Sequence, residues 1–178
     1  MRNKGITLIE LTIVVTIIGI LAVALGFSYI GWMGKYRVEK TTKDLFTDIM
    51  DVRSKALTRG RTYFVDFNTP APAAGEGCYR VIEDTNNDSV LNNGDTIIIP
   101  APLTVLPLTN QKTVKYVINV GLAGGGSRIT VNRRGIVTPN GSINFTLPAS
   151  VVPDYDCLVV FNTRINMGKM NGANCDAK

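Results

Sequence analysis

The chain has 178 residues, a formal charge of +5 and no histidine. A charge this small does not by itself argue for a nucleic-acid partner, and the commonest general base and metal ligand is missing. No serine- or cysteine-centred arrangement nominates a nucleophile with its base, so an enzyme is not expected.

The first five residues, Met1-Arg2-Asn3-Lys4-Gly5, are basic and end in glycine. Ile6–Ile30 follows, with Glu10 as its only charged side chain. At helical rise this run reaches about 37 Å, enough to cross a hydrocarbon core of ~30 Å. A carboxylate at mid-membrane costs about 2.5–3.5 kcal/mol; near a membrane face it snorkels, which is the plainest reading of Glu10. Arg2 and Lys4 fit an amino terminus held in the cytoplasm and a carboxyl end outside. An ordinary signal peptide is cut after its apolar region, whereas here the small residue sits where the basic and apolar parts meet. A basic leader, Gly5, one hydrophobic residue, Thr7-Leu8-Ile9-Glu10 and then an apolar helix resemble the class III prepilin leader of type IV pilins. The resemblance implies that a prepilin peptidase cuts after Gly5 and methylates the new amine of Ile6, which stands where phenylalanine is usual. It also implies a role for Glu10, as counter-ion to the Ile6 amine of a neighbouring subunit. Pairing two charges in low dielectric offsets part of their cost, favours assembly and sets the axial register.

The helix is expected to continue to about Arg59. Leu45, Ile49, Val52 and Ala56 form an apolar stripe on a polar segment, the pattern of a helix laid on a domain. Glu39–Lys43 and Asp51–Lys55 have the spacing of favourable i,i+4 pairs. Gly60 is the expected stop. Gly26, Gly31 and Gly34 interrupt the middle, at up to ~1 kcal/mol each against alanine, and serve either a loosening of the helix on assembly or close packing.

After Gly60 the pattern turns to strands, predicted at Tyr63–Phe67, Tyr79–Glu83, Thr96–Ile99, Thr104–Leu106, Val114–Val120, Ile129–Asn132, Ile136–Val137, Ile143–Leu147 and Leu158–Phe161. Short strands between turn residues predict an antiparallel β-domain. The expectation is an α+β chain in three parts: a leader at 1–5, a helix at 6–59 that spans a membrane over about 6–30, and a periplasmic β-domain at 60–178. The order of landmarks resembles the GspH/FimT family of minor pseudopilins of type II secretion and minor type IV pilins. Those landmarks are Arg59-Gly60, the Tyr63–Phe67 strand, the Asp84–Asp88 turn, Asn132-Arg133-Arg134-Gly135-Ile136 and Gly141-Ser142-Ile143. This implies a single-pass inner-membrane protein extracted into a pilus or pseudopilus. Its expected partners are other pilin or pseudopilin subunits, the prepilin peptidase and the inner membrane; DNA is not an expected partner.

Three stretches carry further expectations. Asp84, Asn86, Asp88, Asn92 and Asp95, with the Val90 carbonyl, have the spacing of a calcium-binding EF-type loop. Ser89 replaces the turn glycine, Asp95 replaces the longer glutamate, and strands rather than helices flank the loop, which otherwise reads as a solvated hairpin turn. The cysteines are Cys78, Cys157 and Cys175, in an oxidising compartment under the expected topology. A Cys157–Cys175 bridge closes a short loop at the carboxyl end; pairing of Cys78 with either partner stays open. Arg164 sits where FimT-like minor pilins carry a Gly-Arg-x-Arg DNA-binding motif, but Thr163 and Asn166 replace its glycine and second arginine. Arg133 and Arg134 would add phosphate contacts, or lie solvated in a turn.

Overall fold

A computed structural model describes residues 6–99, 104–105 and 111–178, with side chains for all of these except 24–30 and 104–105. The leader residues 1–5, Gly5 among them, and Leu106 lie outside the described residues. One helix, α1 (Leu8–Arg59), runs unbroken for 52 residues. Thr7 caps its start, its hydroxyl accepting from the Glu10 amide at 3.3 Å. Gly60 ends it with φ 62° in the left-handed region, its amide donating to the Ala56 carbonyl, a conformation that favours glycine because it has no Cβ.

Twelve strands follow among the described residues. In the first sheet β1 (Tyr63–Phe67) lies between β2 (Gly77–Glu83) and β7 (Arg128–Val131). On the far side of β2 come β3 (Thr96–Ile99) and β4 (Thr104–Val105), with β5 (Lys112–Val114) also paired to β2; β8 (Val137–Thr138) pairs with β7. In the second sheet β6 (Ile118–Leu122), β9 (Gly141–Phe145), β10 (Cys157–Val160), β11 (Ile165–Asn171) and β12 (Asn174–Ala177) lie side by side in that order. Every strand pair is antiparallel.

The apolar stripe of α1 explains the arrangement. Leu45, Ile49, Val52 and Ala56 are fully buried in one core with Tyr63, Val65 and Phe67 of β1 and with Ile143, Leu158 and Val160 of the second sheet. Alternation along β1 sends Phe64 and Asp66 to the other face. There Phe64, Ile82 and Ile97 form a small cluster, against which Leu91 packs from the Asp84–Asp95 loop.

The structure corrects the sequence reading in three places. The predicted strand Val114–Val120 is two strands, since Lys115–Val117 carry the chain from β5 in one sheet to β6 in the other. The carboxyl end, for which no strand was predicted after Phe161, forms β11 and β12. Glu39 does not pair with Lys43: it lies 3.9 Å from Lys35 and accepts from the Asp154 amide at 2.9 Å, while the Lys43 ammonium sits 5.9 Å from the Tyr155 ring centre. Asp51 and Lys55 do pair, at 2.7 Å.

Candidate functional site

The amino-terminal end of α1 is an apolar rod in search of a partner. Large side chains from Ile6 (75% exposed) to Val23 (63%) project from it uncovered. Two of its hydroxyls bond back to the helix backbone: Thr12 donates to the Ile9 carbonyl and Thr16 to that of Thr12. Thr7 and Glu10 occupy the first and fourth positions of a capping-box pattern, Thr-x-x-Glu, a signal for helix start that the chemical reading of Glu10 passed over. Only half of the box is made, since the Glu10 amide uses the Thr7 hydroxyl. The exposed Glu10 carboxylate has no protein partner among the described residues. Among those residues no helix is long and apolar enough to cross a membrane. The described side chains of this stretch stop at Val23, so a span over about 6–30 rests on the sequence.

Past the apolar run the helix is clamped to the β-domain. A Cβ on Gly34 would lie 2.9 Å from a methyl of Val151, so this glycine serves close packing, whereas nothing lies near Gly31. Lys35 pairs with Asp154 at 2.9 Å; their hydrogen bond holds the lysine above its usual range and the carboxyl below it. The Thr42 hydroxyl, which donates to the Val38 carbonyl at 3.0 Å, also lies 3.4 Å from the Tyr155 carbonyl. Farther along, the Tyr79 hydroxyl donates to Asp48 at 2.5 Å, and Lys112 pairs with the same carboxylate at 2.7 Å. Burial, followed by the Asp48 hydrogen bond, raises the Tyr79 phenol far above its usual range. At the end of the helix, Glu83 accepts from Arg59 at 3.0 Å and Arg61 at 3.1 Å.

The Asp84–Asp95 loop divides its oxygens between two jobs. Asp84 is fully buried and accepts from the amides of Asn87, Asp88 and Ser89 at 2.6, 3.2 and 2.8 Å. Asp95, also fully buried, accepts from the amides of Thr85 and Asn92 at 3.2 and 2.9 Å. Both carboxylates therefore organise the turn itself. The heads of Asn86, Asp88 and Asn92 converge instead, both amides donating to one Asp88 oxygen at 3.0 and 2.5 Å. Ser89, in the place of the turn glycine, adopts φ 64°, and Val90 is exposed. Among the described residues no three histidine, cysteine, aspartate or glutamate side chains are grouped to hold a metal.

Cys157 and Cys175 form a disulfide, and Cys78 is a free, buried thiol whose pKa burial pushes up. Cys157 on β10 and Cys175 on β12 are separated by β11, where Gly168 faces Cys157. Arg164 stacks its guanidinium 5.3 Å from the Phe161 ring centre. Arg133 donates to the Asn87 carbonyl at 3.3 Å, tying its turn to the acidic loop.

Comparison with known proteins gives two matches, on different parts of the chain. Residues 41–163 match the family described as type II transport protein GspH. Residues 1–26 match the prokaryotic N-terminal methylation motif. No curated protein and no solved structure matches the chain.

Proposed function

The chain belongs to the GspH family of pilin-like proteins, and on that premise we propose that it is a minor pseudopilin of a type II secretion machine, a structural subunit rather than an enzyme. In this reading residues 6–30 anchor the chain in the inner membrane, with its amino terminus cytoplasmic and its β-domain periplasmic. The prepilin peptidase cuts after Gly5 and methylates Ile6, and the subunit then leaves the bilayer for a pseudopilus. The observation that carries this is the division of one continuous helix into two surfaces. Its apolar side chains are uncovered from Ile6 to Val23, whereas Leu45 to Ala56 lie fully buried against the β-domain. Such a rod fixes a folded head to a tail that only lipid or other helices can cover. Glu10 is the one carboxylate on that tail, and it supplies the counter-charge for a neighbour's methylated amine. Assembly as a FimT-like minor pilin, in pilus assembly or DNA uptake, uses the same helix and differs in its partners.

Intact-mass measurement of membrane-extracted protein tests the processing step, with the expected chain starting at methylated Ile6. Glu10→Val then tests the pairing. It inserts and folds normally but loses cross-links to neighbouring subunits, because leaving one partner of a buried pair alone costs about 3–5 kcal/mol. Cross-linking at wild-type yield refutes the counter-ion role.

The second reading concerns the Asp84–Asp95 loop as a calcium site. It is supported by the convergence of Asn86, Asp88 and Asn92; turning the two amides over would present oxygens to a cation.

A further inference from the structure

About two to four turns past the apolar run of α1, a groove of about 260 Å³ opens between the helix and β5. Arg37 and Lys40 line it from the helix, and Lys112 and Lys115 from the strand side. Lys112 is committed to Asp48. Arg37, Lys40 and Lys115 have no ion-pair partner among the described residues, and Asp44 is the only carboxylate in the lining. The hydroxyl of Thr113 adds a donor at the exposed rim. One turn nearer the apolar run, Trp32 and Tyr36 stack with ring centres 6.1 Å apart. Both are more than half exposed, at 62% and 53%. Trp32, Tyr36 and Lys40 are spaced four apart and so share one helix face.

We propose that this groove seats the headgroup of an anionic phospholipid, holding the β-domain against the outer surface of the bilayer while the subunit waits for assembly. The proposal rests on the membrane-anchor reading and adds to it a recognition site for a lipid class. An exposed aromatic pair directly after an apolar run marks a membrane–water interface, where amphipathic rings settle at headgroup level. From Ile30, Arg37 lies about 10 Å and Lys40 about 15 Å farther along the axis, beyond a headgroup layer some 5–8 Å thick. Helical side chains tilt back toward the amino terminus, and the long stems of arginine and lysine let their charges reach toward the phosphates. Three cations with no ion-pair partner among the described residues, set against one carboxylate, then select an anionic headgroup over a zwitterionic one. An acidic surface on a neighbouring protein is less well matched, because it leaves the adjacent Trp32–Tyr36 pair without an apolar layer to enter.

The test uses the full chain in nanodiscs of phosphatidylcholine carrying increasing fractions of phosphatidylglycerol. Trp32 is the only tryptophan, so its quenching by lipids brominated on their acyl chains reports whether the helix is inserted. Lipids retained on the protein, counted by native mass spectrometry, report headgroup preference. Each basic group at an anionic surface contributes about fivefold. A net of two predicts a preference for phosphatidylglycerol of roughly twenty- to thirtyfold. The triple variant Arg37→Glu/Lys40→Glu/Lys115→Glu should show none, with Trp32 quenched as before. Asp44→Asn, which removes the opposing charge, should raise the preference about fivefold. Equal retention of the two lipids by the wild type with Trp32 quenched overturns the headgroup seat and leaves the anchor standing. An unquenched Trp32 overturns the anchor, and the seat with it. A triple variant that keeps the preference, or that loses only its cross-links to an acidic subunit, assigns the groove elsewhere and overturns the proposal.

Discussion

Removing the disulfide by Cys157→Ala/Cys175→Ala should lower the melting temperature of the β-domain by about 12 °C. The two cysteines are 18 residues apart. In the chain-entropy account a loop of that size restricts the unfolded chain by about 3 kcal/mol. Unfolding entropy of about 2 cal/mol/K per residue, taken over a domain of roughly 120 residues, turns each kcal/mol into about 4 °C. Alanine is the right replacement because Cys157 is fully buried, and serine would bury a hydroxyl there. The staple depends on a third residue. A Cβ on Gly168 would come within 2.9 Å of the Cys175 sulfur and 2.5 Å of the Asp176 carbonyl oxygen, so Gly168→Ala should destabilise the domain even with both cysteines present. The assay is near-ultraviolet circular dichroism on heating the full chain in detergent, which follows the packed aromatic side chains of the domain. Thiol titration of the denatured, unreduced chain should find Cys78 alone in the wild type. A double variant that melts within about 3 °C of the wild type would refute the loop-entropy argument; three titratable thiols would refute the bridge itself.

Three further outcomes are expected. If the Asp84–Asp95 loop binds calcium, a hundredfold excess over Kd stabilises the domain by about 2.7 kcal/mol, and Asp88→Ala removes the response; identical melting curves in calcium and in chelator leave only the hairpin turn. Gly34→Leu should push Val151 away and free the loop that follows it, read as faster exchange of the Asp154 amide now bonded to Glu39; unchanged exchange refutes the close-packing role. The Lys35–Asp154 pair should act across a defined pH window. Asp154 titrates lower when folded, so its stabilising effect is present above the ordinary aspartate value near ~3.9 and fades as pH falls through the lower folded value. Lys35 titrates higher when folded, so its effect is complete below ~10.4 and fades as pH rises through the raised value. The difference in melting temperature between wild type and Asp154→Asn should therefore be flat from about pH 5 to 9 and shrink outside it; a difference that ignores pH refutes the pairing.

The parts of the fold that were legible in the sequence are those whose cause is local. Leu45, Ile49, Val52 and Ala56 announce a buried helix face by spacing alone, and all four are fully buried. Gly60 announces the stop because its conformation suits glycine. The division of residues 112–122 was not legible. The apolar alternation runs on through Lys115–Val117, and what breaks it is a neighbour far upstream. Gly77 lets Ile118 and Tyr116 approach so closely that a Cβ there would lie 2.5 Å from the Ile118 side chain and from the Tyr116 carbonyl. Strands β11 and β12 were hidden for a similar reason, since Gly168 and Lys169 interrupt the pattern of Ile165, Met167 and Met170. Their pairing depends on β10 and on the bridge to Cys175. At the site, Glu10 stood out as a charge in an apolar run. The cationic groove did not, because Arg37 and Lys40 meet Lys112 and Lys115 only through tertiary structure.

The continuity of α1 links these local features into one device. Thirty-six residues are ten turns of an ideal helix, about 54 Å of rise, and they separate Glu10 from Phe46. Phe46 packs against the core, and on an ideal helix this spacing would put Glu10 on the same face. That relation survives only if the helix neither breaks nor slips against its head. No break occurs between Leu8 and Arg59. Slippage is opposed at Gly34, where a Cβ would lie 2.9 Å from a methyl of Val151, and at Lys35, Glu39 and Thr42, which engage Asp154 and Tyr155. A slip of one residue would turn the domain by about 100° relative to the carboxylate. In the proposed pairing, a neighbour whose amine meets Glu10 would therefore also find the domain at a fixed angle. On that proposal the clamp far from the charge sets the orientation in which the charge is used.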